Sequence, residues 1–201
     1  MTVFTKLVAA AIAIPVLALA SAAGATSVVV DARDNSSSGG GVGKATGFNL
    51  TLGQAFKATA AADDLWSAGA LPRWANADGL VTPLFATGTD ESGYAAGVQI
   101  GAAFPSWTEN GLTAPYDSLV GEIGGVFRFL GTSFDGPAWN TGELKLYFWD
   151  ENSADNLQFV TVELSMSEAG VPEPAVWAMM LGGFGLIGLT LRGRRRDLAT
   201  A

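Results

Sequence analysis

The chain contains no cysteine and no histidine. Without cysteine there is no disulfide, no thiolate metal site and no thiol nucleophile, so the fold must hold through packing, helped at most by a bound ion. Without histidine there is no Ser-His-Asp arrangement and none of the common imidazole zinc sites. Basic side chains are scarce in the middle of the chain. Between Thr26 and Val171 there are six (Arg33, Lys44, Lys57, Arg73, Arg128 and Lys145) against seventeen acidic residues, a net of −11 where the whole chain carries −8. Such a surface repels nucleic acid and anionic lipid and tolerates a divalent cation; acidic surfaces are also ordinary for exported soluble proteins. No internal repeat is visible, which argues against a propeller or β-helix.

Long apolar runs are confined to the two ends. Met1 to Ala25 reads as a secretory signal peptide. Lys6 supplies the positive start, Leu7 to Ala20 the apolar stretch, and Ala23-Gly24-Ala25 the small-x-small rule for cleavage after Ala25, with Ala20-Ser21-Ala22 as a second candidate. A retained membrane anchor is the alternative. At the other end, Pro172-Glu173-Pro174 breaks the chain ahead of an uncharged run from Ala175 to Leu191 and a cluster of arginines, Arg192 and Arg194 to Arg196. As a helix rising ~1.5 Å per residue, the run would cover roughly 25 Å, near the lower limit for a bilayer's ~30 Å hydrocarbon layer. The arginines would hold its end on the cytoplasmic side. The expected organisation is a leader (1–25), a folded domain (26–168) and a sorting segment (169–196) with a transmembrane helix (175–191).

Pro172-Glu173-Pro174, two residues, Trp177-Ala178-Met179-Met180-Leu181, then Gly183-Phe184-Gly185, Gly188 and the arginines resemble the PEP-CTERM sorting signal in its PEPxxWA variant. The resemblance implies export from a Gram-negative cell through the Sec translocon and signal peptidase. It implies processing near Pro172 to Pro174 by an exosortase, an integral-membrane protease, and delivery to the cell surface or extracellular matrix. That family is commonly associated with exopolysaccharide. The resemblance says almost nothing about the domain ahead of the tail.

That domain reads as all-β. Ser27 to Asp31, Phe48 to Leu52, Gln54 to Ala60, Ala95 to Ala103, Ser118 to Ile123, Val126 to Leu130, Leu144 to Trp149 and Phe159 to Leu164 are the expected strands, several with two-residue alternation. Gly124-Gly125 marks a hairpin. Phe104 to Tyr116 and Ser133 to Gly142 read as loops, and Asn35 to Gly43 as a Ser/Gly stretch that holds no fixed shape without partners. Gly43-Lys44 fails as a phosphate loop, because Ser38 and Ala45 stand where glycine and Ser/Thr are needed. Asn76-Ala77-Asp78-Gly79 lacks the rest of a calcium loop and reads as a turn. About eight strands and no long helix before residue 171 point to an antiparallel β-sandwich, jelly-roll-like.

The best candidate for chemistry is the loop Asp150-Glu151-Asn152-Ser153-Ala154-Asp155-Asn156-Leu157. It offers three carboxylates, two amide oxygens and a hydroxyl, and calcium takes six to eight hard oxygen ligands. Asp150, Asn152, Asp155 and Asn156 are the candidate ligands, and Tyr147 and Trp149 beside them could face a sugar. The order from Ser118 to Leu164 resembles the C-terminal half of small calcium-dependent galactose-binding bacterial lectins and their jelly-roll relatives. That resemblance implies calcium ligands at Asp150 and at Asp155 or Asn156. The sugar-contacting histidine of those lectins has no counterpart, so galactose specificity is not implied. A glycosidase would need two carboxylates about 5–9 Å apart across a cleft; Glu143, Asp150 and Glu163 are available, but seventeen acidic residues guarantee pairs by chance.

The expectation is an exported, non-enzymatic surface or matrix protein, with a calcium-dependent carbohydrate-binding module as the alternative and a glycan-active hydrolase as the third reading. Mass spectrometry of the protein recovered from cells should find a chain that begins at Thr26 and lacks Trp177 onward; an intact C-terminus would contradict this.

Overall fold

Alternating apolar residues build two four-stranded sheets that face each other. In the computed structural model, residues 25–38 and 41–166 are described, with Met179 and Leu181 as isolated helical, exposed positions. The expected leader and the rest of the expected transmembrane run, 175–191, lie outside the described residues. Among the described residues no helix is long and apolar enough to cross a membrane.

The first sheet has the order β1–β14–β3–β12, from Thr26–Asp31, Phe159–Met166, Ala55–Ala60 and Ser133–Pro137. The second has the order β11–β10–β13–β2, from Val126–Phe129, Ser118–Ile123, Gly142–Trp149 and Lys44–Leu50. Every pairing within them is antiparallel. The side-chain period of two sends Val28, Val30, Phe56, Ala58, Val160, Val162 and Leu164 inward from the first sheet. Leu50, Leu119, Ile123, Leu144, Leu146 and Phe148 meet them from the second. The result is an all-β sandwich consistent with a jelly roll.

Seven of the eight expected strands belong to the sandwich. The eighth partner is β12, which the sequence disguises. Ser133-Phe134-Asp135-Gly136-Pro137 has one large apolar residue, a glycine and a proline, yet pairs with β3 from Pro137↔Ala55 to Ser133↔Thr59. It is an edge strand, where a missing N–H costs no ladder bond. The expected strand 95–103 shrinks to β7 (Gln99–Gly101), paired with β6 (Leu84–Phe85) outside the sandwich.

The segment 104–116 is a hairpin rather than a loop. β8 (Ser106–Glu109) and β9 (Leu112–Pro115) pair across Asn110-Gly111, whose φ angles are 49° and 79°. Two consecutive positive-φ residues match the right-handed twist of the strands, and Asn-Gly is the sequence suited to them. This hairpin covers the outer face of the second sheet. Trp107, Leu112 and Phe127 pack against Val120, Tyr147 and Trp149. All six residues of β10 are consequently buried. The Ser/Gly stretch also finds a partner: Ser37 N–H donates to the Phe148 carbonyl (2.9 Å) and Ser37 Oγ to that of Asp150 (3.1 Å).

Phe148 is at the centre of the core, fully buried, with Trp66 edge-on at a centroid distance of 4.7 Å. Phe148→Ala should cost about 3–5 kcal/mol, read as a lower urea midpoint at unchanged slope. Val29→Ala, on an exposed position of the outer face, should stay within about 0.5 kcal/mol of the parent.

Candidate functional site

The 150–157 loop does not close a hairpin. It carries the chain from β13 in one sheet to β14 in the other, so it lies across one end of the sandwich. Its last residue is stitched to β4 (Trp66–Ser67): Ser67 N–H donates to the Leu157 carbonyl (3.0 Å) and Leu157 N–H returns the bond (2.9 Å). A third segment meets these two. Asp117 N–H donates to the Trp149 carbonyl (2.9 Å), and the Trp66 indole donates to the Asp117 carbonyl (2.7 Å). Three stretches far apart in sequence, 66–69, 116–118 and 150–157, thereby converge.

At the base of this junction stands Asp117, fully buried and in the left-handed backbone region at φ 62°. Aspartate accepts that conformation better than most residues. One carboxyl oxygen, Oδ2, accepts the Ala68 N–H at 3.2 Å; the other, Oδ1, is buried without a partner. Asn156 is 99 % buried. Its nitrogen donates to the Ala32 carbonyl (2.9 Å), while its Oδ1 is again buried without a partner. Buried polar atoms are nearly always paired, so two orphaned oxygens at one junction are a signal that something electropositive belongs there.

Asp150 is also buried, with Oδ1 accepting the Glu151 N–H at 2.8 Å and the Asn156 side chain hydrogen-bonded to its carboxyl. Asn152 and Asp155 lie at the exposed mouth. Asn152 caps the short 3-10 turn Ser153–Asp155: its amide oxygen accepts the Ala154 N–H (3.2 Å), and its nitrogen donates to Asp155 Oδ1 (2.9 Å). Asp155 Oδ2 rests against Gly69, where a Cβ would overlap the carboxylate and where φ is 102°, so glycine is required on both counts. The structure thus brings Asp150, Asp155 and Asn156 together with Asp117, and gives Asn152 the work of shaping the loop. Sequence reasoning missed Asp117. Its only local signal is Tyr116-Asp117 between two strands, indistinguishable from any solvated turn.

Tyr147 and Trp149 do not face a sugar. Trp149 is completely buried and Tyr147 nearly so, both beneath the β8–β9 hairpin. Trp66 and Trp74 are buried as well. Phe104 is exposed and stands edge-on to Tyr116, their ring centroids 5.2 Å apart. Burial beside Glu151 pushes the Tyr116 hydroxyl up to about 12. A separate cavity of about 400 Å³ is lined by Leu65, Leu84 and Phe85 with Asp63, Asp90 and Glu91, and shares no residue with the loop site. The carboxylates considered for glycoside cleavage are not brought together. Glu143 starts β13 and accepts the Gly47 N–H, Asp150 follows the far end of that strand, and Glu163 lies in the other sheet.

Burial holds the carboxyl of Asp117 well above the ordinary carboxylate range, and the charge of Asp150 pushes the same way. Burial also raises Asp150. The folded state therefore binds these protons more tightly than the unfolded chain does. Their contribution to stability is complete below the ordinary value of 3.8 and is lost as pH rises through the raised pKa values. Asp90, held near 2 chiefly by its hydrogen bond from Ser92, acts oppositely, so its contribution is lost as pH falls from 3.8 towards 2. In chelator, the melting temperature of the protein should peak near pH 4 and fall towards neutrality, and Asp117→Asn should flatten that fall.

Among the described residues no group of three or more histidine, cysteine or carboxylate side chains closes on one point, so a cation here would need amide and main-chain oxygens to complete its shell. Comparison with curated proteins found no match. Among solved structures, the chain is similar to the EclA N-terminal domain, a PllA-like lectin, at 18% identity and a TM-score of 0.44, covering 71% of this chain and 96% of that one. Residues 170–196 match the family model of the PEP-CTERM protein-sorting motif. That motif is a sorting signal, not a catalytic domain, and its partner is an exosortase-type system. The chain carries a PEP-CTERM protein-sorting motif at its C-terminal end, following the β-sandwich in sequence.

Proposed function

We propose that this is a non-enzymatic protein, delivered to the cell surface or extracellular matrix in association with exopolysaccharide, whose sandwich (26–168) holds a calcium ion at the 150–157 loop. The observation that carries the ion is the pair of buried, unpartnered oxygens, Asp117 Oδ1 and Asn156 Oδ1, beside the buried carboxyl of Asp150. A buried carboxylate without a counter-charge either takes up a proton or meets a cation. No lysine or arginine forms an ion pair with these carboxyls: Lys145 is paired with Glu122 in the second sheet, and Arg73 acts on Asp117 only from a distance, too weakly to offset its burial. The donors are all hard oxygens in an irregular arrangement, which suits calcium better than the strict octahedron of magnesium.

In this reading Asp117, Asp150 and Asn156 hold the ion, main-chain oxygens complete its shell, and Asp155, positioned by Asn152, stands at the exposed mouth. A bound calcium ion would offer its remaining positions to sugar hydroxyls. The structural matrix role and the carbohydrate-binding role then become one, because a protein that grips glycan through an ion is retained by it. Delivery rests on the tail, with the leader removed after Ala25 and processing at Pro172 to Pro174 ahead of Trp177 and Ala178.

Thermal melting of the purified protein checks the ion. Ligand at about 100 times its Kd adds about 2.7 kcal/mol, which at this chain length raises Tm by roughly 5–10 °C. Calcium should produce such a shift at neutral pH and magnesium a smaller one. Asp117→Asn should abolish the response while raising the Tm of the ion-free protein. No shift in the parent protein at millimolar calcium would sink the ion site.

A further inference from the structure

The rim of the loop site carries a cation without a carboxylate partner. Arg73 is exposed, and among the described residues no carboxylate lies within 4.0 Å of it. Its guanidinium is held over the ring of Phe104, 5.2 Å from the centroid. Phe104 stands edge-on to Tyr116, and Tyr116 is hydrogen-bonded to Glu151 of the loop. The main chain of Arg73 is tied to the same junction. The Ala68 N–H is shared between the Arg73 carbonyl (3.1 Å) and Asp117 Oδ2 (3.2 Å). The positive charge of Arg73 is felt at both Asp117 and Tyr116. An arginine laid on an aromatic ring is pre-organised: its planar fork loses little freedom when it takes a carboxylate in two parallel hydrogen bonds.

Placement makes this arginine informative. It is one of six basic residues in a domain with seventeen acidic ones, and it stands beside the acidic loop without being neutralised by it. The domain as a whole repels anions, so an anionic ligand can be held only where positive charge is concentrated locally. The ion and Arg73 together make such a place. A neutral sugar would use the ion and leave the guanidinium facing water. A sugar with a carboxylate could use both, its hydroxyls at the ion and its carboxylate on the arginine, with the exposed ring of Phe104 alongside for its C–H face.

We infer that the loop site selects acidic saccharides, with Arg73 on Phe104 receiving the carboxylate of a uronic acid. This rests on the ion site proposed above. The test measures binding of methyl galacturonide and methyl glucuronide, against their neutral methyl glycosides, by calorimetry on the purified protein in millimolar calcium. Single-residue glycosides are used because longer uronates bind calcium themselves. The parent protein should bind one of the uronides about tenfold or more tighter than its neutral counterpart, the size expected for a charged double hydrogen bond. Arg73→Gln should bring the uronide down to the neutral level, and Arg73→Lys should restore only part of the difference. The calcium-induced Tm shift, read on the same samples, should be the same in Arg73→Gln as in the parent, which shows that the variant is folded and loaded. Uronide and neutral sugar binding equally, or a preference that survives Arg73→Gln, overturns the inference and leaves the ion site standing. Absence of the calcium shift in the parent overturns the ion site and this inference with it.

Discussion

Trp66 is the joint on which core and site both depend. Its ring meets Phe148 edge-on in the centre of the sandwich, and its indole N–H is spent on the carbonyl of Asp117. An aromatic ring gives its apolar body to the core and its one polar atom to a partner at the edge. The consequence is geometric. Trp66 fixes where Asp117 sits relative to β13, and the short β4 strand that carries it also pairs with Leu157 at the end of the loop. The anchor holds the Asp117 main chain in place although the desolvation of its carboxyl opposes its burial.

The electrostatics of the domain follow from this. An exported chain without cysteine has no covalent cross-link to rely on. Its core is nevertheless complete, with two sheets of apolar residues and a further aromatic layer beneath the β8–β9 hairpin. The cost is concentrated at one end, where Asp117 and Asp150 are pushed towards their protonated forms. A site that is unfavourable when empty and charged is favourable when filled by a cation. Low internal polarity makes both statements true, because it strengthens the unpaired cost and the paired gain alike.

Sorting signal and fold are separate in the chain. The tail is a sorting motif written in consecutive residues, and the sandwich ahead of it is built from residues that take no part in that motif. The Arg73–Phe104–Tyr116 rim belongs to the sandwich alone, built from residues between β4 and β10, the stretch with the least regular sequence pattern. Irregular segments laid on a rigid scaffold are where specificity commonly resides.

Features that depend on neighbours in sequence were legible before any fold was known. Pro172-Glu173-Pro174 with its apolar run is one. The Gly124-Gly125 hairpin and the alternation of Leu144, Leu146 and Phe148 are others, since a period of two is a property of the backbone itself. The oxygen-rich composition of residues 150–157 was visible for the same reason. Features set by long-range packing were hidden. β12 is a strand because β3 offers it an edge, not because Ser133-Phe134-Asp135-Gly136-Pro137 prefers to be one. Trp149 alternates as though it faced water, yet a hairpin some forty residues earlier covers it. Asp117 is one carboxylate among many in the linear chain; only the convergence of 66–69 and 150–157 upon it removes the water that would otherwise have made it ordinary.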